Sequence, residues 1–347
     1  MRPVTPVRIN LYSDTQTRPT PAMREAMARA DCGDEQNFDD PTVNALVERC
    51  ADLLGKDDAV FLPSGTMCNE IAILVHVPRG EEIIAHETAH IIFSEGGGPA
   101  ALGGAMIRPV RGPRGQFTAD DVQEAVRFHP SRYEPRTRLV EVEQTANLGG
   151  GSVWPLAQLN AVAAAARQHG LATHMDGARL MNAVVAAGVT AKDFAAGYDS
   201  VWIDFTKGLG APVGAVLAGS KPFIGEAWRW KQRMGGAMRQ AGIVAAGCLH
   251  ALDHHIDRLA EDHANAKALA RDLAQLPGVT EVVPPDTNLV YAHLDRPAQP
   301  VATAALAQGL RVSVLGPRIV RLCTHLDVSA AQCAEAVGIL RDVLSQP

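Results

Sequence analysis

From residue 58 onward the chain alternates short apolar runs with longer stretches in which apolar positions recur every three or four residues. The runs AVFLP (59–63), EIIA (82–85), AMIRPV (105–110), TRLVEVE (137–143), LATHM (171–175), VWIDF (201–205) and GAVLAG (214–219) predict buried strands. Between most of them lie helical patterns, such as TMCNEIAILVHV (66–77), TADDVQEAVRF (118–128) and PLAQLNAVAAAARQHG (155–170). This alternation predicts a mostly parallel sheet covered by helices on both faces. Two helices are predicted ahead of it. One is TPAMREAMARAD, with proline in its first turn; the other is PTVNALVERCADLLG after Asp40, closed by Gly55.

The rhythm changes after about residue 240. A long helical region is predicted over 241–276, then strands TNLVYAHL (287–294), LRVSVL (310–315) and RIVRLC (318–323), with helices around 300–309 and 328–345. The expected fold class is therefore α/β, with a smaller C-terminal α+β domain. The expected organisation is an extended polar N-terminal arm over 1–18, a large domain over 19–245 and a small domain over 246–347. No internal repeat is present.

Composition narrows the class. The 347 residues are 47% hydrophobic and 20% charged, with net charge -6, which offers no electrostatic case for nucleic acid or an anionic membrane. No apolar run approaches the ~18 residues of a membrane span, and the N-terminus lacks the apolar segment of a secretory leader. None of the six cysteines forms a C-x-x-C pair, so reduced thiols in a cytoplasmic protein are expected.

Lysine is the place to look for chemistry, because there are only six. Lys207 alone follows an apolar strand and precedes small residues, GLGAPVG. A lysine there is costly unless its charge is paired or its pKa lowered, and an amine that forms an imine with an aldehyde cofactor needs that lowering. Asp176 ends the strand LATHM. It either caps the helix starting near Arg179 or lies at the carboxyl edge where open α/β sheets bind ligands. Ser64-Gly65-Thr66, between the strand AVFLP and the next helix, is either an ordinary capped turn or a phosphate site. His90 lies just beyond the strand EIIA and is either structural or a flat ring that stacks on a cofactor; His86 has the same ambiguity. No metal site is expected, since His254 and His255 are adjacent and point to different helix faces. No G-x-S-x-G is present.

The segments YSDTQTRPTPAMREAM (12–27), DDPTVNALVE (39–48), PSGTMCNE (63–70), AHIIFSEGGG (89–98), HMDGARLMNA (174–183), DFTKGLGAPVG (204–214), GGAMRQAG (235–242) and IVRLCTHLDVS (319–329) together resemble the threonine aldolase and β-eliminating lyase family of pyridoxal-phosphate enzymes. The resemblance implies the aspartate aminotransferase type of fold, pyridoxal 5'-phosphate as cofactor, and a homodimer or homotetramer with sites between subunits. It implies Lys207 as the lysine that carries the cofactor, Asp176 at the pyridine nitrogen, and Arg179 on the phenolic-oxygen side. It places His90 on the ring, Gly65 and Thr66 at the phosphate, and Ser13 and Arg321 at the substrate carboxylate, with Arg239 reaching a neighbour's pocket. The expected reaction is retro-aldol cleavage of a threonine-like β-hydroxy-α-amino acid to glycine and an aldehyde. β-Elimination, racemisation and a catalytically silent binding protein are the alternatives. One departure stands out: where the family commonly reads E-N-T-H-N, this chain reads Glu143-Gln144-Thr145-Ala146-Asn147. The missing histidine leaves the base open among His90, His86 and water. Alanine at 146 is expected to open space beside the substrate's β-carbon.

Overall fold

The computed structural model describes residues 6–127 and 131–346, so the first five residues of the expected arm and Phe128 of the predicted helix lie outside it. The strands are β1 (Ile9–Asn10), β2 (Asp58–Leu62), β3 (Glu82–His86), β4 (Met106–Val110), β5 (Thr137–Glu143), β6 (Ala172–Asp176), β7 (Ser200–Asp204), β8 (Ala215–Gly219), β9 (Val279–Val283), β10 (Leu289–Leu294), β11 (Leu310–Arg311), β12 (Ser313–Gly316) and β13 (Ile319–Cys323). Seven form one sheet in the order β2-β8-β7-β6-β5-β3-β4. Only β8 runs against the rest.

The strands read as continuous apolar runs because both faces are covered. Val201, Ile203 and Phe205 pack into one core while Trp202 packs into another on the opposite side. Because β2, β3, β5, β6 and β7 share a direction, their last residues Leu62, His86, Glu143, Asp176 and Asp204 all stand at one edge. The helix Gly65–His76 starts at that edge, and its buried face carries Asn69 and Glu70 among apolar neighbours.

The region predicted as one helix over 241–276 is two, Gly242–His254 and Leu259–Leu273. The break follows from packing: Ala245, Cys248 and Ala251 join the core beside the large sheet, whereas Ala266, Leu269 and Leu273 join a separate core beneath β9–β13. That second core includes a four-stranded antiparallel sheet in the order β12-β13-β10-β9.

The N-terminal arm crosses to the C-terminal part. β1 pairs in parallel with β11, and Leu11 donates to the Arg311 carbonyl and accepts from Cys323 N–H, both at 2.9 Å. Ile9 and Leu11 are buried in the C-terminal core. This threading carries Tyr12, Ser13 and Asp14 toward the edge of the large sheet. Among the described residues no helix is long and apolar enough to cross a membrane.

Candidate active site

Asp176 is fully buried at the end of β6. Its Oδ1 accepts from Ala178 N–H at 2.9 Å and its Oδ2 from Asn69 Nδ2 at 2.8 Å. The capping and sheet-edge readings are thus compatible: one oxygen organises the turn into the helix Leu180–Ala187, and the other faces inward.

Lys207 follows β7 and pairs with Asp204, whose other oxygen accepts from Thr206 N–H and Oγ1, both at 2.8 Å. Asp204 is the charge partner that the partly buried lysine required. Lys207 Nζ lies 5.6 Å from the centre of the Trp202 ring. That indole also touches Gly65, where an added Cβ would fall 2.2 Å from it; only glycine lets the helix start approach β7 so closely. Ser64 caps this helix through Met67 N–H at 3.3 Å. Among the described residues the amides of Gly65 and Thr66 keep no partner, and Thr66 is exposed.

Arg179 is buried in a two-point ion pair with Asp14, both contacts at 2.8 Å. Burial alone would raise the Asp14 carboxyl's pKa, but the Arg179 guanidinium and hydrogen bonds outweigh it and hold the carboxyl well below the ordinary range. Arg179 answers in kind, its charge reinforced against burial by Asp14. Its third nitrogen, Nη1, makes no hydrogen bond among the described residues. Beside Asp14, Ser13 is buried and its hydroxyl accepts from Thr15.

Arg321 reaches the same place from β13. Its Nη2 donates to the Tyr12 carbonyl at 3.2 Å, its Nη1 to Asn147 Oδ1 at 3.3 Å and its Nε to Ser313 Oγ at 3.0 Å. Tyr291, opposite Arg321 on β10, donates to the Asn147 carbonyl at 2.6 Å. Arg321, Tyr12, Ser13, Asp14 and Arg179 therefore form a continuous run of contacts.

His90 is partly buried, its Nδ1 2.8 Å from Glu95 Oε1. Burial opposes its charge, but the Glu95 hydrogen bond and nearby carboxylates raise its pKa. Glu95 in turn faces Glu70, whose pKa is pushed up to about 8 by burial and by the Glu95 charge. Glu143, paired with Asp176 across β5 and β6, is pushed up to about 7 by burial and the Asp176 charge, against the 3.0 Å hydrogen bond from Asn147 N–H. His86 stands apart. Its Nε2 donates to the Gly112 carbonyl and its Nδ1 accepts from Thr88, so both ring nitrogens are committed to a turn.

His90, Glu95 and Asp176 bring potential ligand atoms within 4.8 Å of one another. The Asn69 amide donates to both carboxylates there, at 2.7 and 2.8 Å, so their facing oxygens are spent on N–H groups. Ala146 corrects an expectation: it opens no space. It is buried, bridged to Ser152, and Cβ atoms added at Gly115 and Gly149 would fall 2.7 and 3.1 Å from its own. Arg239 joins none of these contacts. It is exposed and paired with Asp34 at 2.8 Å, on a loop anchored by the buried Lys231–Glu35 pair.

Residues 10–297 match the family of beta-eliminating lyases. The chain belongs to that family. A low-specificity L-threonine aldolase of Escherichia coli (strain K12) is 41% identical to this family member, over 97% of the chain and 100% of its own length. Low-specificity L-threonine aldolase 1 of Arabidopsis thaliana is 39% identical over 83% of the chain and 81% of its own. A solved structure of Leishmania major threonine aldolase superposes with a TM-score of 0.85 over 97% of the chain and 100% of its own, at 22% identity, a likeness of fold.

Asp14, Asn69, Glu95, Glu143, Asn147 and Asp204 are the members of this candidate site that motif reading passes over. Asn69 leaves a trace in the sequence, as a polar position in an otherwise apolar helix. Asp14 and Asn147 leave none, because their partners are more than a hundred residues away.

Proposed function

We propose that the chain is a pyridoxal-phosphate-dependent carbon–carbon lyase that cleaves threonine and related β-hydroxy-α-amino acids to glycine and an aldehyde. The observation that carries this reading is the meeting of Lys207, Asp176 and Arg179 at one sheet edge with Ser13 and Arg321. The 41% identity with a low-specificity L-threonine aldolase over the whole of that enzyme supports it.

The residues present suit the cofactor. Asp176 keeps an acceptor lone pair for a protonated ring nitrogen, and Arg179 Nη1 is uncommitted for an oxyanion. The free amides of Gly65 and Thr66 at a helix start suit a phosphate. When bound, pyridoxal phosphate supplies an electron-accepting ring for the pair released as Cα–Cβ breaks. Lys207 would hold the cofactor through Nζ, and His90 would lie against it. Arg321 and Ser13 would bind the substrate carboxylate and so fix the orientation of the substrate's Cα, a kind of positioning worth up to ~7–11 kcal/mol in favourable cases. With no histidine at 146 and His86 committed, the β-hydroxyl proton would pass to His90 Nε2 or to a Glu143 oxygen, both groups whose pKa is raised in this site.

The chain is read as working at least as a dimer, with Arg239 supplied to a neighbour's pocket. Its six free cysteines suit a cytoplasmic location. The test is to incubate purified protein and cofactor with threonine, allo-threonine and phenylserine and assay glycine. Glycine with the matching aldehyde is expected from each. Ammonia and a keto acid instead would move the reading to β-elimination, inverted substrate to racemisation, and no turnover to a silent binding protein.

A further inference from the structure

Behind Asp176 the interior holds a set of buried polar groups to which the reading above assigns no contact with substrate or cofactor. Asn69 is completely buried, and its amide makes four hydrogen bonds. Oδ1 contacts Trp202 Nε1 at 2.7 Å and His174 Nε2 at 3.1 Å; Nδ2 contacts Asp176 Oδ2 at 2.8 Å and Glu95 Oε1 at 2.7 Å. An amide has two donors and two acceptor lone pairs, so it is saturated.

One of these partners settles the direction of the rest. The Trp202 indole is a donor only, so the Asn69 atom facing it must be the carbonyl oxygen. The two amide hydrogens then point at Asp176 and Glu95. His174 must donate to Asn69 from Nε2. Burial, reinforced by the neighbouring His76, pushes the His174 pKa down to about 3, so the ring is neutral and, with Nε2 donating, its Nδ1 is an acceptor. Ser200, 2.8 Å from that nitrogen, must donate its hydroxyl hydrogen to it, and then accepts from His76 Nε2 at 2.9 Å. Every donor in the sequence His76, Ser200, His174, Asn69 points toward Asp176. Hydrogen bonds aligned in one direction polarise one another.

We propose that Asn69 is a positioning residue for the lyase reaction: oriented by Trp202 and His174, it holds Asp176 as a pure acceptor, so that the proton shared with the cofactor stays on the ring nitrogen. A proton on Asp176 Oδ2 would face the Asn69 N–H and one on Oδ1 would face the Ala178 N–H, and each would cost a hydrogen bond. The inference rests on the pyridoxal-phosphate reading above.

The test uses the cofactor-loaded enzyme and two variants. Asn69→Asp is nearly isosteric but turns one donor into an acceptor against Asp176. Ser200→Ala breaks the run two bonds away from Asp176 and touches neither cofactor nor substrate. Three readouts are taken: kcat and KM for threonine, the visible absorption and circular dichroism of the bound cofactor, and the ¹⁵N shifts of the His174 ring in labelled protein. The expected result is a fall in kcat of about tenfold to a hundredfold for Asn69→Asp with KM within about twofold, as for loss of a hydrogen bond to a charged group. The cofactor band should shift, and Ser200→Ala should fall between the two proteins in both. His174 should carry its proton on Nε2 in the unmodified enzyme. The proposal is overturned if a folded Asn69→Asp protein keeps its band and its kcat, if Ser200→Ala lowers only the melting temperature, or if His174 is protonated on Nδ1. Absence of cofactor binding or glycine formation by the unmodified protein would overturn the functional reading. Normal turnover with an insensitive Asn69→Asp variant would overturn this inference alone.

Discussion

The two ends of the candidate site are built in different ways. The Asp176 end is made inside one sheet: β6 ends in Asp176, β5 in Glu143, β7 leads to Lys207, and the helix Gly65–His76 supplies Asn69. Its polar groups are packed behind the strands, and the Asn69 amide has no unused bond. The Arg321 end is assembled from three distant segments, the N-terminal arm, β13 and the loop after β5, held by contacts such as Arg321 to the Tyr12 carbonyl and to Asn147. The first end suits a task in which one charge must stay in one place while electrons move. The second suits recognition of a substrate that comes and goes. Electrostatic stabilisation works best where the groups are already oriented, and carboxylate recognition works through planar two-point contacts.

This contrast gives ways to break the site at one end and not the other. The largest effect is expected for Lys207→Ala, which should remove the visible cofactor band and lower threonine cleavage by roughly 10³-fold or more. A folded variant that keeps the band after borohydride treatment would show that another lysine is used. Asp176→Asn should lower kcat by about 10²–10³-fold with little change in KM, because the lost interaction strengthens as charge enters the ring. Near-normal kcat would reduce Asp176 to the turn-forming role seen at Ala178.

Asp14 joins the two ends, and its removal should appear in stability. Asp14→Asn leaves the buried Arg179 guanidinium without a counter-charge, a loss of about 3–5 kcal/mol. The sign with pH follows from the lowered carboxyl: its contribution is present above the ordinary aspartate range and is lost as pH falls through the lower folded value. Urea unfolding across pH should therefore show the largest gap between the two proteins near neutrality and a shrinking gap in acid. A constant gap would mean the pair contributes no charge-dependent stability.

Arg321→Lys should raise KM for threonine about tenfold and leave kcat within a few-fold, since lysine keeps the charge but not the fork. The opposite split would erase the distinction between the two ends. The smallest effect concerns Ala146→His. The imidazole has no room against Gly115 and Gly149, so the variant should lose about 1–3 kcal/mol in stability. The ratio of kcat/KM for threonine over allo-threonine should stay within about twofold. A tightened ratio in a stable variant would show that position 146 does face the β-hydroxyl.

The sequence by itself determined the large parallel sheet, because runs buried on both faces are written as continuous apolar stretches. It also determined which polar residues stand at or just beyond the strand ends: Asp176 and Lys207 stand out where burial makes polarity costly. Gly65 and Ser64 mark the helix start for the same local reasons of capping and close approach. The tertiary structure alone decided what each of these groups touches. Asp204 became the partner of Lys207, and the predicted helix over 241–276 divided because its two halves pack on different cores. Ala146 came to lie against Gly115 and Gly149, so the alanine that replaces a histidine fills a tight corner and opens none. Asp14 met Arg179 from 165 residues away because burying Ile9 and Leu11 draws the arm across the chain. Local patterns record whether a position is buried. Hydrogen-bond partners across the interior carry no periodicity, so only the folded chain reveals them.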